Sequence, residues 1–204
     1  VHGEGAGRRL AAVDEKRKRV LVFDVGSGEC VATAGSDGIG PGQFMKPQCV
    51  AFNKRGEMFV GDGKLHRISV FDASGKFLRQ FGEKGRLKGQ LDGPQGLAFG
   101  PSGKLVVVEH GNSRVQMLHE DGKFSRWVGS AGAGPSELRN PQGVAVGGDG
   151  RVYVADCGNS RVQVYNRNGV HLRAMGNAGE ERERLKQPVG VALGPDGEVF
   201  VSDL

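Results

Sequence analysis

Pro47, Pro94, Pro141 and Pro188 stand 47 residues apart each time, and the sequence around them moves in step. "KPQCVAF", "GPQGLAF", "NPQGVAV" and "QPVGVAL" follow one template, and "NKRGEMFVGD", "PSGKLVVVEH", "GDGRVYVADC" and "PDGEVFVSDL" follow a second. "HRISVFDASGKFLRQFG", "SRVQMLHEDGKFSRWVG" and "SRVQVYNRNGVHLRAMG" form a third set. An earlier stretch, "RLAAVDEKRKRVLVFDVGSGECVATAG", fits the scheme with a one-residue shift near Gly26–Gly28. The 204 residues are therefore about four and a third copies of one unit, and such a period means a repeat architecture. The units run 1–44, 45–91, 92–138, 139–185 and, in part, 186–204, within a single domain.

Inside a unit the hydrophobic pattern has period two. Val144 and Val146, Val152 and Val154, and Val162 and Val164 alternate with small or polar partners. Turn chemistry bounds each run, as at Gly148–Gly150 and Asn166–Gly169. The 36 glycines have no Gly-X-Y period, which excludes collagen and predicts many tight turns. No stretch has a helical apolar stripe; "GEERERLK" is charged all round and reads as a loop. Four short antiparallel strands per 47-residue unit predict an all-β chain of β-propeller blades. Solenoids need shorter β repeats or helices.

One polar pattern recurs with the strands. Asp14, Asp62, Glu109, Asp156 and Asp203 end the second strand of their units, and Arg19, Arg67, Arg114 and Arg161 open the third, five residues after an acid. The spacing predicts a hydrogen-bonded acid–arginine pair across a tight loop: Asp14 with Arg19, Asp62 with Arg67, Glu109 with Arg114, and Asp156 with Arg161. Asn112 and Asn159 are expected to supply the left-handed backbone of that loop. Catalysis needs singular groups, so a pair repeated in every unit is scaffolding.

The template P-x-G-V-A-[VLF]-x-x-x-G-x-[VL]-x-V-x-[DE]-x-x-N-x-R-V-Q-V-[FY] resembles the NHL repeat. The match is specific in 92–138 and 139–185, good in 45–91, and weaker in 1–44, where "DEKRKR" replaces the Asn-containing loop. The resemblance implies a six-bladed propeller, as in TRIM-type ubiquitin ligases, translational repressors and several extracellular enzymes. Six blades at this period need roughly 280 residues. The chain starts at Val1 and stops at "VFVSDL", so it is expected to be part of a larger ring.

Lyases and lactonases on related propellers gather a metal at the axis, which tests the enzyme alternative. His66 and His110 fall in loops between second and third strands, at different offsets, whereas His119 and His171 fall at the opposite end of their units; His2 precedes the first strand. They cannot converge on one zinc, so no metal site is expected. Cys157 stands beside Asp156 but has no matching histidine. "GSGEC" and "GAGAGPSEL" precede no helix that could meet a phosphate. No catalytic group and no cofactor are expected. Cys30, Cys49 and Cys157 have no C-x-x-C spacing and read as buried thiols of an intracellular, cytoplasmic chain. No signal peptide is visible, and no apolar run of about 18 residues points to a membrane.

The net charge of +5 is unevenly placed. Lys16, Arg17, Lys18, Arg19, Lys64, Arg67, Lys84, Arg86 and Lys88 cluster in loops expected to share one face, while "GEERERLK" and "SAGAGPSELRN" are balanced. The clustered charge points to a docking scaffold for a protein partner, with single-stranded RNA as the alternative. Phe44 is the sole aromatic in those loops, which weakens base stacking; Phe44 and Leu65 are the apolar neighbours a protein would use. Arg79, Arg126 and Arg173, with Lys76 and Lys123, recur on the outermost strand, where charge discourages added strands. Trp127, beside Arg126, is a candidate contact residue or inter-blade packing group.

Overall fold

The alternating runs become antiparallel meanders in which each strand pairs with the next along the chain. The computed structural model describes residues 7–177 and 180–204; His2 lies outside the described residues. The chain forms two compact units, Val1–Pro94 and Gln95–Leu204.

The N-terminal unit holds a three-stranded sheet of β1 (Arg9–Asp14), β2 (Arg19–Asp24) and β3 (Cys30–Ala34). These correspond to the second, third and fourth strands of the later repeats. The short strands β4 (Ser36–Asp37) and β5 (Gln43–Phe44) pair in parallel within the connection that follows. A four-stranded sheet of β6 (Pro47–Phe52), β7 (Met58–Asp62), β8 (Arg67–Phe71) and β9 (Phe77–Phe81) comes next. The C-terminal unit repeats this plan with β10 (Pro94–Phe99), which begins at the unit boundary, β11 (Leu105–Glu109), β12 (Arg114–Leu118) and β13 (Phe124–Val128). Its connection carries β14 (Ser130–Ala131) and β15 (Glu137–Leu138). Then come the four-stranded sheet β16 (Val144–Val146), β17 (Val152–Asp156), β18 (Arg161–Tyr165) and β19 (His171–Met175), and the pair β20 (Pro188–Leu193) and β21 (Val199–Asp203). Helical structure among the described residues is confined to two 3₁₀ turns, Cys157–Asn159 and Glu181–Glu183, so "GEERERLK" holds one short turn.

Burial explains the strand composition. β7, β11 and β17 are buried along their whole length, because both faces of a middle strand meet a neighbouring layer. The outer strands β9 and β19 keep exposed positions. Each unit shares cores between successive sheets. Val20, Val22 and Ala34 of the first sheet pack with Met58, Val60 and Phe71 of the second. Val106, Val108, Val115 and Met117 pack with Val152, Val154 and Tyr165. Tyr153, Val162 and Val164 pack in turn with Val191, Leu193, Val199 and Val201.

Phe44 belongs to the first core. It is fully buried, 5.8 Å from the Phe71 ring, which meets Phe77 at 5.9 Å. Gly35 makes room for it: its φ is +80°, and a Cβ there would overlap the Phe44 ring. The expectation that Phe44 lies open on the loop face is thereby corrected. The thiols also divide: Cys30 is exposed, Cys157 half-buried, and only Cys49 buried, where desolvation pushes its pKa up to about 12.

The outer-strand arginines do more than guard an edge. Arg79 makes a two-pronged ion pair with Glu57, at 3.0 and 3.1 Å, and its guanidinium lies 5.5 Å from the centre of the Phe59 ring. The Arg79 hydrogen bond, against the opposing effect of burial and with help from Arg55 and Asn53, holds the Glu57 carboxyl down at about 2. A carboxyl lowered from 4.5 in the folded chain stabilises fully above that value and loses its contribution as pH falls toward 2. The urea midpoint of the full chain is expected to drop between pH 5 and pH 3, roughly the interval of this titration, by more than that of the Glu57→Gln variant. Equal drops in the two proteins would contradict the pair's contribution.

Candidate functional site

A carboxylate withdrawn from water needs donors for its lone pairs. Asp62, Glu109 and Asp156 are completely buried. Asp156 accepts hydrogen bonds from Arg161 Nε at 2.8 Å, Asn159 Nδ2 at 2.9 Å and the Arg139 amide at 2.6 Å. Arg161 then donates to the Gly134 and Glu137 carbonyls at 2.7 and 2.8 Å, tying β18 to the connection that precedes β16. Glu109 accepts from Arg114 Nε at 2.8 Å, Asn112 Nδ2 at 2.6 Å and Gln116 Nε2 at 2.7 Å. Asp14 meets Arg19 Nε at 3.1 Å in a more open setting. Loss of water opposes its ionisation, but the Arg17 amide and the Arg19 and Arg17 side chains outweigh that and keep the carboxyl below its ordinary value.

The second repeat departs from the expected pairing. Asp62 spends its oxygens on the backbone amides of Met45, Lys46, Lys64 and Leu65, at 2.7 to 3.1 Å. Arg67 turns instead to the carbonyls of Ile39, Gly40 and Gln43, at 3.0, 2.6 and 3.0 Å. With the carboxylate saturated by amides, no hydrogen bond joins Asp62 to Arg67, and Arg67 Nε is buried without a partner. Burial pulls the Arg67 pKa down, and the nearby Asp62 charge acts against it.

The loop backbone needs a second correction. The left-handed residue is the one just before each arginine: Lys18, His66, Ser113 and Ser160, with φ between 49° and 54°. Asn112 and Asn159 serve the carboxylates through their side chains.

In the N-terminal unit these contacts bring loops to one face. Gly63 donates to the Lys46 carbonyl at 2.9 Å, and Arg67 reaches residues 39–43, so the 63–66 loop abuts the connection before β6. On its other side His66 Nδ1 accepts from the Gly93 amide at 3.1 Å and lies 3.1 Å from Asp92. Loop 63–66 is therefore held between the two connections. On this face Lys16, Arg17, Lys64, Lys84, Arg86 and Lys88 are exposed, whereas Lys18 and Arg19 are half-buried. Arg17 turns to Asp14 at 3.5 Å, and Arg19 and Arg67 are occupied as described. Lys16, Lys64 and Lys84 make no ion pair among the described residues.

Two apolar groups here escaped sequence reasoning. Ile39 and Leu87, one in each connection flanking the 63–66 loop, are both 71% exposed. The signal was an apolar residue inside a Gly-rich connection, "SDGIGPG" and "EKGRLKG", where no strand pattern calls for one. Leu65 is half-buried.

The histidines stay apart by contact. His110 Nδ1 is buried without a partner, and His171 Nε2 lies 2.8 Å from Gln163 Oε1. Among the described residues no three His, Cys, Asp or Glu side chains gather as metal ligands would. Trp127 lies 4.1 Å beneath the Arg114 guanidinium and 4.6 Å from Phe124. Among the described residues no helix is long and apolar enough to cross a membrane.

The NHL repeat family model matches residues 91–117 and 138–165, the two stretches that run into the "SRVQ" strands. Among curated proteins none matches the sequence. Solved structures are similar at low identity. Selenomethionine-substituted virginiamycin B lyase from Staphylococcus aureus superposes with a TM-score of 0.69 at 16% identity, over 96% of this chain and 59% of that one. A protein of unknown function from Bacteroides caccae gives 0.66 at 15%, over 97% and 66%. A chain of a nidogen/laminin complex gives 0.66 at 20%, over 97% and 73%. This chain thus spans less than two thirds of the lyase's length. These likenesses show an all-β propeller fold, in which the NHL repeat model matches the two stretches named.

Breaking the most buried latch should cost most. Asp156→Ala leaves Arg161 charged, 9% exposed and without its carboxylate, a loss of about 3–5 kcal/mol. Asp14→Ala, at a pair whose arginine and aspartate are 34% and 19% exposed, should cost clearly less. Chemical denaturation of both variants checks the order, and equal losses would contradict it.

Proposed function

We propose that the chain is a non-catalytic docking scaffold, one part of a larger six-bladed propeller, which binds a protein segment on the loop face of its N-terminal unit. One observation carries this reading: Ile39 and Leu87, each 71% exposed, rise from the two connections that flank a loop bearing exposed Lys64, with Lys84, Arg86 and Lys88 around Leu87. Apolar anchors within a basic surround suit a partner segment that combines Leu, Ile or aromatic side chains with Asp or Glu. The free cysteines at 30, 49 and 157 support a reducing, intracellular setting. NHL propellers of TRIM-type ligases and the nidogen/laminin neighbour are precedents for protein docking on this architecture.

Single-stranded RNA is the second reading, favoured by the exposed basic cluster. Burial of Phe44 removes the aromatic that would have offered a stacking platform there. Against a lyase-type activity, the acids at the second-strand ends are engaged by amides, asparagines and arginines as latches, which leaves them poorly suited to act on a substrate.

Selection of displayed peptides on the full chain tests the reading. Enriched sequences should mix acidic and large apolar residues. The Ile39→Ser, Leu87→Ser double variant should bind them about 30-fold more weakly, the loss of a ~2 kcal/mol anchor set. Its thermal midpoint should stay within about 1 °C, since exposed sites contribute little to folding. A random RNA pool that outcompetes every peptide, with steep salt dependence and no response to the double variant, would establish the RNA reading instead.

A further inference from the structure

The second and third repeats place different side chains on one equivalent row of their sheets. In the second, Glu57, Phe59, Val70 and Arg79 lie along one face: Phe59 pairs with Val70, Val70 with Arg79, and Arg79 closes on Glu57 above the Phe59 ring. Forty-seven residues on, the row reads Lys104, Val106, Met117 and Arg126, with Val106 opposite Met117 and Met117 opposite Arg126. Two replacements are linked there. Phe59 gives way to the smaller Val106, and the carboxylate of Glu57 gives way to the ammonium of Lys104.

Along this row lies a cavity of about 470 Å³ in the C-terminal unit, at the end of the strands away from the acid–arginine latches. Val106, Met117 and Val146 form its apolar side, and Lys104, Arg126 and Arg167 its basic side. Arg126 has lost the carboxylate its counterpart holds. It donates to Asn168 Oδ1 at a long 3.3 Å, and its Nε is buried with no partner. Lys104 reaches the Ser125 hydroxyl. The acid at the rim, Asp149, is turned to Arg151 at 3.3 Å. An unpartnered buried donor beside a second cation costs stability unless something anionic completes it. The volume suits a small molecule.

We propose that this cavity binds an aryl carboxylate. The ring of the ligand takes the space that the Phe59 ring fills in the preceding repeat, against Val106, Met117 and Val146. Its carboxylate takes the place of the Glu57 carboxylate, between Arg126 and Lys104, where a planar guanidinium and a two-oxygen anion match. This site is separate in residues and in unit from the proposed docking face, so either can fail alone.

Titration calorimetry of the full chain with 2-naphthoate, and with neutral 2-naphthamide as control, tests it. The naphthoate should bind saturably at one site, with the amide at least about tenfold weaker, since charge-assisted pairing is what separates them. Lys104→Glu should restore the internal ion pair to Arg126, keep or raise the thermal midpoint, and weaken naphthoate about tenfold or more. Val106→Phe should exclude both compounds by refilling the cavity. Absence of saturable naphthoate binding, equal affinity for the amide, or unchanged affinity in a folded Lys104→Glu variant would each overturn the proposal.

Discussion

A carboxylate with no exposed surface sits at the end of the second strand in repeat after repeat, and the folded loops exist to satisfy it. Asp62, Glu109 and Asp156 are each fully buried, so each must be surrounded by donors or cost the fold several kcal/mol, roughly the scale of its total stability. The donors come from three places: the loop that follows, the arginine that opens the next strand, and the connection leading into the sheet. The Met45 and Lys46 amides on Asp62, the Arg139 amide on Asp156, and the Lys186 and Gln187 amides on Asp203 are the same contact made in the second, fourth and fifth repeats. The carboxylate thus ties the connection to the sheet, alongside the backbone bonds that the following loop returns to it, Gly63 to the Lys46 carbonyl and Gly158 to the Arg139 carbonyl.

With the frame secured in this way, side chains elsewhere on the repeat are free to differ. The position of Glu57 is Lys104 and then Arg151; that of Phe59 is Val106 and then Tyr153. These changes leave strand pairing intact and alter only what the ends of the sheet present: a closed ion pair in one repeat, an open basic cavity in the next. The same logic holds at the loop face, where Ile39 and Leu87 project from connections whose backbones are pinned by Arg67 and His66. Rigid supports with variable tips are how repeat folds acquire recognition.

How much of this is legible in the sequence follows from range. The 47-residue period and the turn residues are local signals, and they locate the strands and the acid–arginine spacing of Asp14, Glu109 and Asp156. What they miss depends on competition for partners. Asp62 and Arg67 have the right spacing, yet four amides reach Asp62 first and three carbonyls draw Arg67 away. Asn112 has the composition of a left-handed turn residue, but its amide is worth more on the Glu109 carboxylate, and Ser113 adopts the strained conformation. Phe44 sits in a loop-like stretch, and only the gap left at Gly35 reveals that it turns inward. Arg79 reads as an edge guard because Glu57 is 22 residues away and no local rule joins them.

Native-state hydrogen exchange of the full chain tests most directly whether buried acids hold the loops. The amides of Met45 and Arg139, which lie outside regular strands and donate to Asp62 and Asp156, should exchange as slowly as those of β7 and β17, while amides at the Ile39 and Leu87 tips exchange quickly. Exchange of Met45 and Arg139 at the rate of the exposed tips would show that the carboxylates do not organise the fold.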